Sequence, residues 1–399
     1  MKNTIKKLVS LFLIIALFAA MATGLTGCSS DAKYKIGILL YNFTDIQGKQ
    51  VKEYTEYLTK DFDVEFTYVS VGTDDDAHVA AVESCINQGC NAIFSGYNTA
   101  IDTCVSKCAA ANVYYGLFLG DTVSTELTTE TLTSKYYLGG VKQFGGDPAK
   151  VGTQFAEVIN GTEYTKIAGI SFPPFAFVDG NTLWNKMVED VDASKTVYNA
   201  GNEPMPIPFG YNGDYYYFMF TSEACQAEVD KMFTEHSDIE VIVGMGSGMD
   251  YVLPALRSGN HTNVKMLALG YTDQVEDYLK DGTLLAAGTN NYVQAVASLF
   301  ARAYDALESD GTAWYSDRMA VTEEYYQYAG CDGAADYTIV TSVEDVADFK
   351  TYVVGDKANG PITNDELKQC MLSFNKDATW ADLTALTTRT LAEIKEARN

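Results

Sequence analysis

Polar and aromatic side chains recur directly after predicted strands, and their chemistry suits a small ligand rich in hydroxyl groups. Asp, Asn and Gln pair with hydroxyls as donors and acceptors, and aromatic rings cover the apolar faces of a small ring. In open parallel sheets, ligands bind beyond the carboxyl ends of the strands. The candidate binding residues are therefore these strand-end and hinge positions: Tyr41, Asn42, Phe43, Asp45, Tyr97, Asn98, Asp121, Phe172, Phe175, Ser247, Asp250, Asp273 and Asn290.

Most of these positions also have a purely structural interpretation. A polar residue at a helix start often caps free backbone N–H groups, and an aromatic residue beside a strand is often packed core. The structural alternatives are a helix cap at Asn98 and Asp273, a turn at Asp121, a first-turn helix acid at Asp250, and core packing at Phe172 and Phe175. The tyrosine-rich run over 211–220 is interpreted as a packed segment rather than an aromatic cage.

The elements that would position these residues alternate regularly between strand and helix. Buried-strand patterns such as YKIGILLY at 34–41 and NAIFSG at 91–96 alternate with helical segments, and the same rhythm restarts at Lys166. Such alternation predicts parallel sheets with helices on both faces. The predicted fold class is therefore α/β, with two Rossmann-like lobes, each built on a parallel sheet, and with residues 119–146 crossing between them.

The first residues predict export and a lipid anchor. Three lysines within the first seven residues precede an apolar stretch over 8–20, which is too short to indicate a membrane span. The following Leu25-Thr26-Gly27-Cys28 resembles the lipobox of bacterial lipoproteins, which implies cleavage before Cys28 and diacylglycerol on its thiol. We therefore expect a signal peptide at 1–27, a tether at 28–33, and anchoring on the extracytoplasmic face of the cell membrane.

Charge and cysteine content exclude several classes of function. The chain has 28 basic and 53 acidic residues, a net charge of −25, and such a surface repels nucleic acid. Eight cysteines without a Cys-x-x-Cys pair, and only three histidines, do not predict a metal site or a cofactor. With Cys28 lipidated, two alternatives remain open for the early cluster: buried free thiols, or one disulfide among Cys85, Cys90, Cys104 and Cys108.

The glycine-rich stretch over 244–248 narrowly misses two enzyme motifs. A nucleophile elbow requires glycine at position 245 and a dinucleotide-binding loop requires glycine at 249, but both positions hold methionine. The sequence has no Gly-Lys-Ser/Thr phosphate loop, and no histidine lies near a suitable serine. The pattern therefore does not predict an enzyme.

Several short stretches follow one another in an order typical of a known family. They are Asn42-Phe43-Thr44-Asp45, Gly120-Asp121, Ala255-Leu256-Arg257-Ser258-Gly259, Leu269-Gly270-Tyr271-Thr272-Asp273, Leu279-Lys280-Asp281-Gly282-Thr283-Leu284, and Asn290 at the place of a hinge glutamine. Over about residues 34–317 the chain thus resembles the type I periplasmic binding proteins, the group of the ribose- and galactose-binding proteins. The resemblance implies two lobes that close on a multi-strand hinge around a small polar ligand, here a sugar, and deliver it to the permease of an ABC importer.

The chain also departs from the family pattern. Thr122 stands where an arginine often follows Asp121, and the arginine that commonly begins the first helix of the second lobe is missing from 179–184. Some nucleoside-binding lipoproteins of the same superfamily have a glycine-rich stretch near 244–248. A nucleoside or purine is therefore the first alternative ligand, and a sensor that docks on a signalling receptor is the second alternative function.

The resemblance implies a division of the chain into lobes. The N-terminal lobe is expected to comprise 34–140 plus 291–318, and the C-terminal lobe 141–290 plus 319–399. The last part, with one helix beginning at 363 and another over 379–398, is expected to pack on the second lobe, where a Cys331–Cys370 pair is one way to fasten it. The expected partners of this monomer are a small molecule, the permease and, through Cys28, the membrane.

Overall fold

A computed structural model describes residues 32–72, 75–120, 127–207, 210–313, 315, 317–318 and 330–399. The strands are β1 (Tyr34–Leu40), β2 (Val64–Ser70), β3 (Ala92–Ser95), β4 (Tyr114–Gly120), β5 (Tyr137–Lys142), β6 (Lys166–Ser171), β7 (Thr196–Val197), β8 (Tyr216–Tyr217), β9 (Val241–Gly244), β10 (Lys265–Leu269), β11 (Leu284–Asn290), β12 (Cys331–Ala334) and β13 (Tyr337–Val340). The α-helices are α1 (Ile46–Leu58), α2 (Asp75–Asn87), α3 (Ile101–Ala110), α4 (Thr129–Thr133), α5 (Pro148–Asn160), α6 (Val178–Asp190), α7 (Ser222–Glu235), α8 (Leu253–Ser258), α9 (Val275–Lys280), α10 (Tyr292–Glu308), α11 (Val343–Phe349), α12 (Asn364–Gln369), α13 (Trp380–Thr387) and α14 (Leu391–Arg398).

The first lobe is built on a parallel sheet with the order β12-β5-β4-β3-β1-β2. Its central strands are apolar runs in which Ile36, Ile38 and Phe94 are fully buried, as expected for strands covered by helices on both faces. In-register pairing places Ile38 opposite both Tyr68 of β2 and Phe94 of β3. The carboxyl ends of these strands therefore meet at one edge of the sheet.

The second lobe repeats this arrangement with the order β13-β11-β10-β9-β6-β7, and β8 also pairs with β6. All the pairings are parallel except that of β13 with β11, which is antiparallel. The predicted α/β fold with two parallel-sheet lobes is confirmed.

Short connections join the two sheets beside the strand ends. The chain enters the second lobe after β5 through residues 143–147, returns from β11 to α10 at 290–292, and passes from β12 to β13 at 335–336. Short segments of this kind can act as pivots for rotation of the lobes, so these three segments form the hinge.

Residues 119–146 are more than the crossing that the sequence predicts, because they contain α4 and the inner strand β5. Two glycines in YLGGVK weaken the strand pattern of β5. The structure explains them: Gly139 has a φ of +77°, and a Cβ at Gly140 would overlap the thiol of Cys331 on β12. The two glycines that weaken the sequence pattern of β5 therefore also leave the space in which β12 pairs with it.

The C-terminal segment packs on both lobes, and the assignment of all of 319–399 to the second lobe is corrected accordingly. Strand β12 joins the first sheet, and Leu367 of α12 and Leu383 of α13 lie in the apolar core of the first lobe. The physical reason is α10, whose residues are buried on almost every side. A helix that is buried on nearly every side needs packing partners on nearly every side, and α12 and α13 cover the side that the first sheet leaves free.

The helix predicted over 379–398 consists of two helices. Helix α13 ends at Thr387, and at Thr390 a capping box begins α14: the Thr390 side chain accepts from the N–H of Glu393, while the Glu393 carboxylate accepts from the N–H of Thr390. Because Ile394 of α14 lies in the core of the second lobe, the break lets the chain return to that lobe.

The described cysteines 85, 90, 104, 108, 225, 331 and 370 are buried free thiols. Cys331 packs in one apolar cluster of the first lobe and Cys370 in another, so the pair does not fasten the C-terminal segment. Cys28 lies outside the described residues. In the ranges that the structure describes, no helix combines the length and apolarity that a membrane span requires.

Candidate ligand-binding cleft

A cavity of about 180 Å³ lies where the strands of the second sheet end and the hinge segments pass. Its volume is below the roughly 300–1,000 Å³ of pockets for drug-sized ligands, so it fits a small molecule. The lining residues are Gln143, Phe144, Phe172, Phe177, Met245, Ser247, Leu269, Gly270, Gly288, Thr289, Asn290, Tyr292 and Tyr337. Three of the predicted binding residues, Phe172, Ser247 and Asn290, are among them.

Aromatic rings form two walls of the cavity. Phe172 follows β6, and its ring centroid lies 5.3 Å from that of Phe218 and 5.1 Å from that of Phe220. Phe144, on the first hinge segment, lies 5.0 Å from Tyr337 on β13. Such surfaces stack on flat, weakly apolar ligand faces. Phe172 is therefore both packed and cavity-lining, so the two interpretations of this residue do not exclude each other.

Asn290 connects two hinge segments. Its side-chain oxygen accepts a 3.0 Å hydrogen bond from the N–H of Phe144, and its amide donates a 3.0 Å bond to the side-chain oxygen of Gln143. Asn290 is buried, so without its side-chain oxygen the N–H of Phe144 would lack a hydrogen-bond acceptor, which costs free energy. The location at the hinge agrees with the sequence-based expectation, and the hydrogen bonds show that Asn290 also holds the cavity wall.

The glycine-rich loop after β9 is shaped by close packing. Ser247 has a φ of +47°, a conformation that non-glycine residues adopt only at some cost. A Cβ at Gly246 would lie 2.5 Å from the backbone nitrogen of Phe172, and one at Gly248 would lie 3.0 Å from the Cβ of Ala268. The flanking glycines thus allow the loop to lie against β6 and β10, and this places Ser247 at the cavity.

The predicted residues after β1 shape their own loop. Asp45 caps α1 by accepting a 2.7 Å bond from the N–H of Gly48, and Asn42 accepts from the N–H groups of Thr44 and Asp45. The Phe43 ring packs edge-on against Tyr68 at 5.3 Å. None of these three side chains lines the cavity.

Tyr97 and Asn98 likewise contact their own lobe. The Tyr97 hydroxyl donates a 2.7 Å bond to the carbonyl of Gly72, and its ring stacks on His78 at 4.9 Å. Burial, together with the neighbouring Tyr41, raises the pKa of Tyr97 to about 12. Asn98 donates to the carbonyl of Leu119 and does not cap α3, whose N-cap residue is Ala100 and which has no side-chain capping bond.

Acidic groups from both lobes face each other at the cleft. Burial raises the pKa of Asp250 in the second lobe, and the charge of Asp45 in the first lobe raises it further. Burial also raises the pKa of the Tyr292 phenol to about 12, and Asp45 and Asp250 both add to this. The lobes touch here, since Ile46 packs against the core of the second lobe.

The remaining predicted residues lie elsewhere. Tyr41, which follows β1, is 56% exposed. It lies near Tyr251 of the other lobe: burial raises the pKa of Tyr251, and Tyr41 raises it further. Phe175 is 49% exposed, and Asp273 is exposed and does not cap α9, whose cap is Gln274. Neither lines the cavity. Asp121 lies outside the described residues.

Sequence reasoning missed the hinge side of the cavity. Gln143, Phe144 and Tyr292 lie on segments that cross between the sheets, and Tyr337 directly follows such a segment as the first residue of β13. For Gln143 and Phe144 the sequence signal was the end of β5, a strand whose pattern its two glycines weaken. None of the described lining residues carries a charge, and no His, Cys, Asp or Glu cluster in the described ranges could hold a metal ion.

Comparison with protein families gives a match over most of the chain. Residues 36–311 match the family described as "Periplasmic binding protein domain". The match begins in β1 and ends after α10, so it includes most strands of both sheets and most of the cavity lining, while β12, β13 and the rest of the C-terminal segment lie beyond it. A search of curated proteins by sequence found no significant relative.

Solved structures share the fold. A sugar ABC transport substrate-binding protein from Bordetella parapertussis superposes with a TM-score of 0.56 and 14% identity, covering 78% of this chain and 90% of its own. A solute-binding protein from Bacillus halodurans with bound myo-inositol gives 0.53 and 13%, with 81% and 99% coverage. An arabinose-binding protein from Geobacillus stearothermophilus gives 0.53 and 15%, with 79% and 99% coverage.

Proposed function

The chain belongs to the periplasmic binding proteins, a family of solute-binding proteins and not of enzymes, and on this basis we propose that it captures a small neutral sugar for an ABC importer. The observation that carries the proposal is the cavity at the hinge, where aromatic walls and uncharged polar groups surround about 180 Å³. Rings and amide or hydroxyl groups are the partners that a sugar requires.

The charges around the cleft favour neutral ligands over anionic ones. The described lining is uncharged, and the carboxylates of Asp45 and Asp250 lie close enough to perturb Tyr292 on the cavity wall. A phosphate or carboxylate on the ligand would approach these anions without a compensating cation, which is unfavourable in a partly buried site. We therefore expect neutral sugars and polyols to bind and their anionic derivatives to be rejected.

The names of structural relatives agree with this ligand class. One is described as part of a sugar transport system, one contains myo-inositol, and one is an arabinose-binding protein.

A thermal-shift screen tests the proposal with the chain from Ser29 onwards. The panel contains neutral monosaccharides and inositols, the corresponding sugar phosphates and uronic acids, nucleosides, and amino acids. Binding to the native state alone raises stability by RT ln(1 + [L]/Kd), so a neutral sugar should raise the melting temperature in proportion to the logarithm of its concentration. A shift with nucleosides alone would favour the alternative ligand, and no shift with any neutral sugar would refute the sugar assignment.

Phe172 and Phe175 provide a matched pair of variants. Both follow β6, but only Phe172 lines the cavity, while Phe175 is exposed. Phe172→Ala should abolish the ligand-induced shift, and Phe175→Ala should preserve it. If the two variants retain the shift equally, the ligand binds elsewhere.

The lipid anchor at Cys28 is a separate part of the proposal. It is supported by the order of basic residues, apolar stretch and Leu-Thr-Gly-Cys at the start of the chain. Cys28→Ser should release the protein from the membrane fraction of an expressing bacterium and remove the mass of diacylglycerol from its N-terminal peptide. Retention in the membrane with an unmodified Cys28 would contradict a thioether anchor.

A further inference from the structure

The segment after β13 crosses between the lobes twice more. Val346 and Phe349 of α11 and Val353 pack in the core of the second lobe, whereas Ile362 and Leu386 pack in the core of the first. The chain then returns to the second lobe with α14. In the described part of the chain, the hinge crossings at 143–147, 290–292 and 335–336 are therefore supplemented by crossings at 354–362 and 387–391.

The fourth crossing is fastened to α1 of the first lobe. The ammonium group of Lys357 is buried, lies 3.3 Å from the carboxylate of Glu53, and donates a 2.5 Å bond to the carbonyl of Val354. Asn364 donates bonds of 3.1 Å to the carbonyl of Tyr57 and 2.6 Å to the carboxylate of Asp61. These polar contacts hold the end of this crossing against the first lobe.

An ion-pair cluster joins the two ends of the segment. Arg398 of α14 binds both carboxylate oxygens of Glu366 on α12, at 3.0 and 2.5 Å, and Arg389 donates a further bond of 2.7 Å. Burial opposes ionisation of Glu366, but the hydrogen bonds from Arg398 and Arg389 outweigh it and lower its pKa to about 2. Because α12 packs on the first lobe and α14 on the second, this bidentate pair connects the lobes.

The fifth crossing lies beside the hinge. Gln294 donates a 2.7 Å bond to the carbonyl of Arg389 and accepts a 2.8 Å bond from the N–H of Asp336 on the third hinge segment. A second cavity, of about 430 Å³, separates residues 388–392 from the first hinge segment. Phe144 and Tyr337 line both this cavity and the candidate ligand cavity, so they form the wall between them.

We propose that residues 350–399 form a clasp across the lobes, in which the Glu366–Arg398 pair limits how far the cleft opens. Rotation of the lobes about the three hinge segments would separate α12 from α14, and this would break a bidentate, charge-assisted contact. The clasp thus favours the closed arrangement even without a ligand. It would slow both the entry and the release of a ligand, whatever the chemical nature of that ligand.

Distance measurements between the lobes test the clasp in the ligand-free, full-length protein. Nitroxide labels on Gln88→Cys and Lys280→Cys, both at exposed positions on the amino ends of strands, report the separation of the two lobes by pulsed electron resonance. The native thiols of the described chain are buried and are not expected to take the label. Arg398→Met keeps an apolar stem but removes the pair with Glu366.

Arg398→Met should raise the ratio of a second, open distance population to the closed one by about tenfold, the effect of losing a hydrogen-bonded charge pair. The matched control is Lys395→Met, which removes a 2.7 Å ion pair to Asp348 that lies within the second lobe. The control should leave the distribution unchanged. An Arg398→Met distribution identical to that of the parent would refute the clasp, and so would an equal change in both variants.

Discussion

Replacement of Asp332 by asparagine is predicted to destabilise the first lobe strongly. Asp332 lies on β12 and accepts from two arginines: Arg302 of α10 at 3.2 Å, and Arg318 at 2.5 and 3.0 Å. Both arginine side chains are only 2% exposed. Each also donates to the carbonyl of Leu138 on β5, and each guanidinium lies within 6 Å of the Trp380 ring. One carboxylate thus holds two buried cations between the sheet and the C-terminal segment.

The magnitude follows from the burial of these charges. Removing one partner of a buried ion pair costs about 3–5 kcal/mol, because the remaining charge cannot be resolvated. The substituted asparagine side chain would retain an oxygen acceptor but no charge, so two buried guanidinium groups would lose their shared anion. At about 2–4 °C per kcal/mol for domains of moderate size, we expect the melting temperature to fall by about 6–20 °C.

Thermal unfolding followed by circular dichroism measures this loss, and hydrogen exchange locates it. The amides of β12 and of Leu138 should exchange faster in Asp332→Asn than in the parent, whereas those of β9 and β10 in the second lobe should be unaffected. The control is Asp348→Asn, which removes the exposed pair with Lys395 and should cost less than about 1 kcal/mol. A melting temperature of Asp332→Asn within about 1 °C of the parent would show that the Asp332 charge is not needed to hold the two arginines.

Three further predictions concern the hinge, the helix packing and the cavity. Burial raises the pKa of Asp336 to about 6, above the value of about 3.9 in unfolded chains, so the native state loses stability as pH rises from about 4 to 6. Asp336→Asn should therefore be more stable than the parent in urea at pH 7.5 but not at pH 4, and an equal difference at both pH values would contradict this pKa. Gly152→Ala should lower the melting temperature, because its Cβ would overlap the backbone of α6, whereas Gly161→Ala, with no neighbour closer than 3.4 Å, should not; equal effects would exclude this packing explanation. Tyr292→Phe should weaken sugar binding about tenfold in calorimetry if its hydroxyl contacts the ligand, and an unchanged Kd would place that hydroxyl outside the binding site.

The strand-end principle selected some of the side chains that line the candidate cavity. Phe172 and Ser247, which follow strands of the second sheet, are among them. After β1, the same principle selected Asn42 and Asp45, whose hydrogen-bonding groups are used by their own turn and helix cap. The sequence pattern shows which strand a residue follows. The direction of its side chain depends on local contacts that the spacing of residues does not predict.

The sequence patterns predicted where helices occur better than they predicted the lobe on which each helix packs. The capping sequence at Thr363 and the apolar positions over 383–394 correctly indicated helices. The lobe on which they pack could not be predicted, because the apolar face of a helix fits any complementary surface. The uncovered side of α10 decided the position of α12 and α13.

The sequence by itself determined the α/β fold with two parallel-sheet lobes, because the alternation of apolar runs and amphipathic segments is a local property of the chain. The order of short stretches also indicated the family correctly. Only the tertiary structure decided that β12 pairs with β5, that hinge residues such as Phe144 and Tyr337 complete the cavity, and that the C-terminal segment connects both lobes. These features depend on contacts between residues far apart in the sequence, where the available surfaces and the burial of charge select one arrangement among many with the same local pattern.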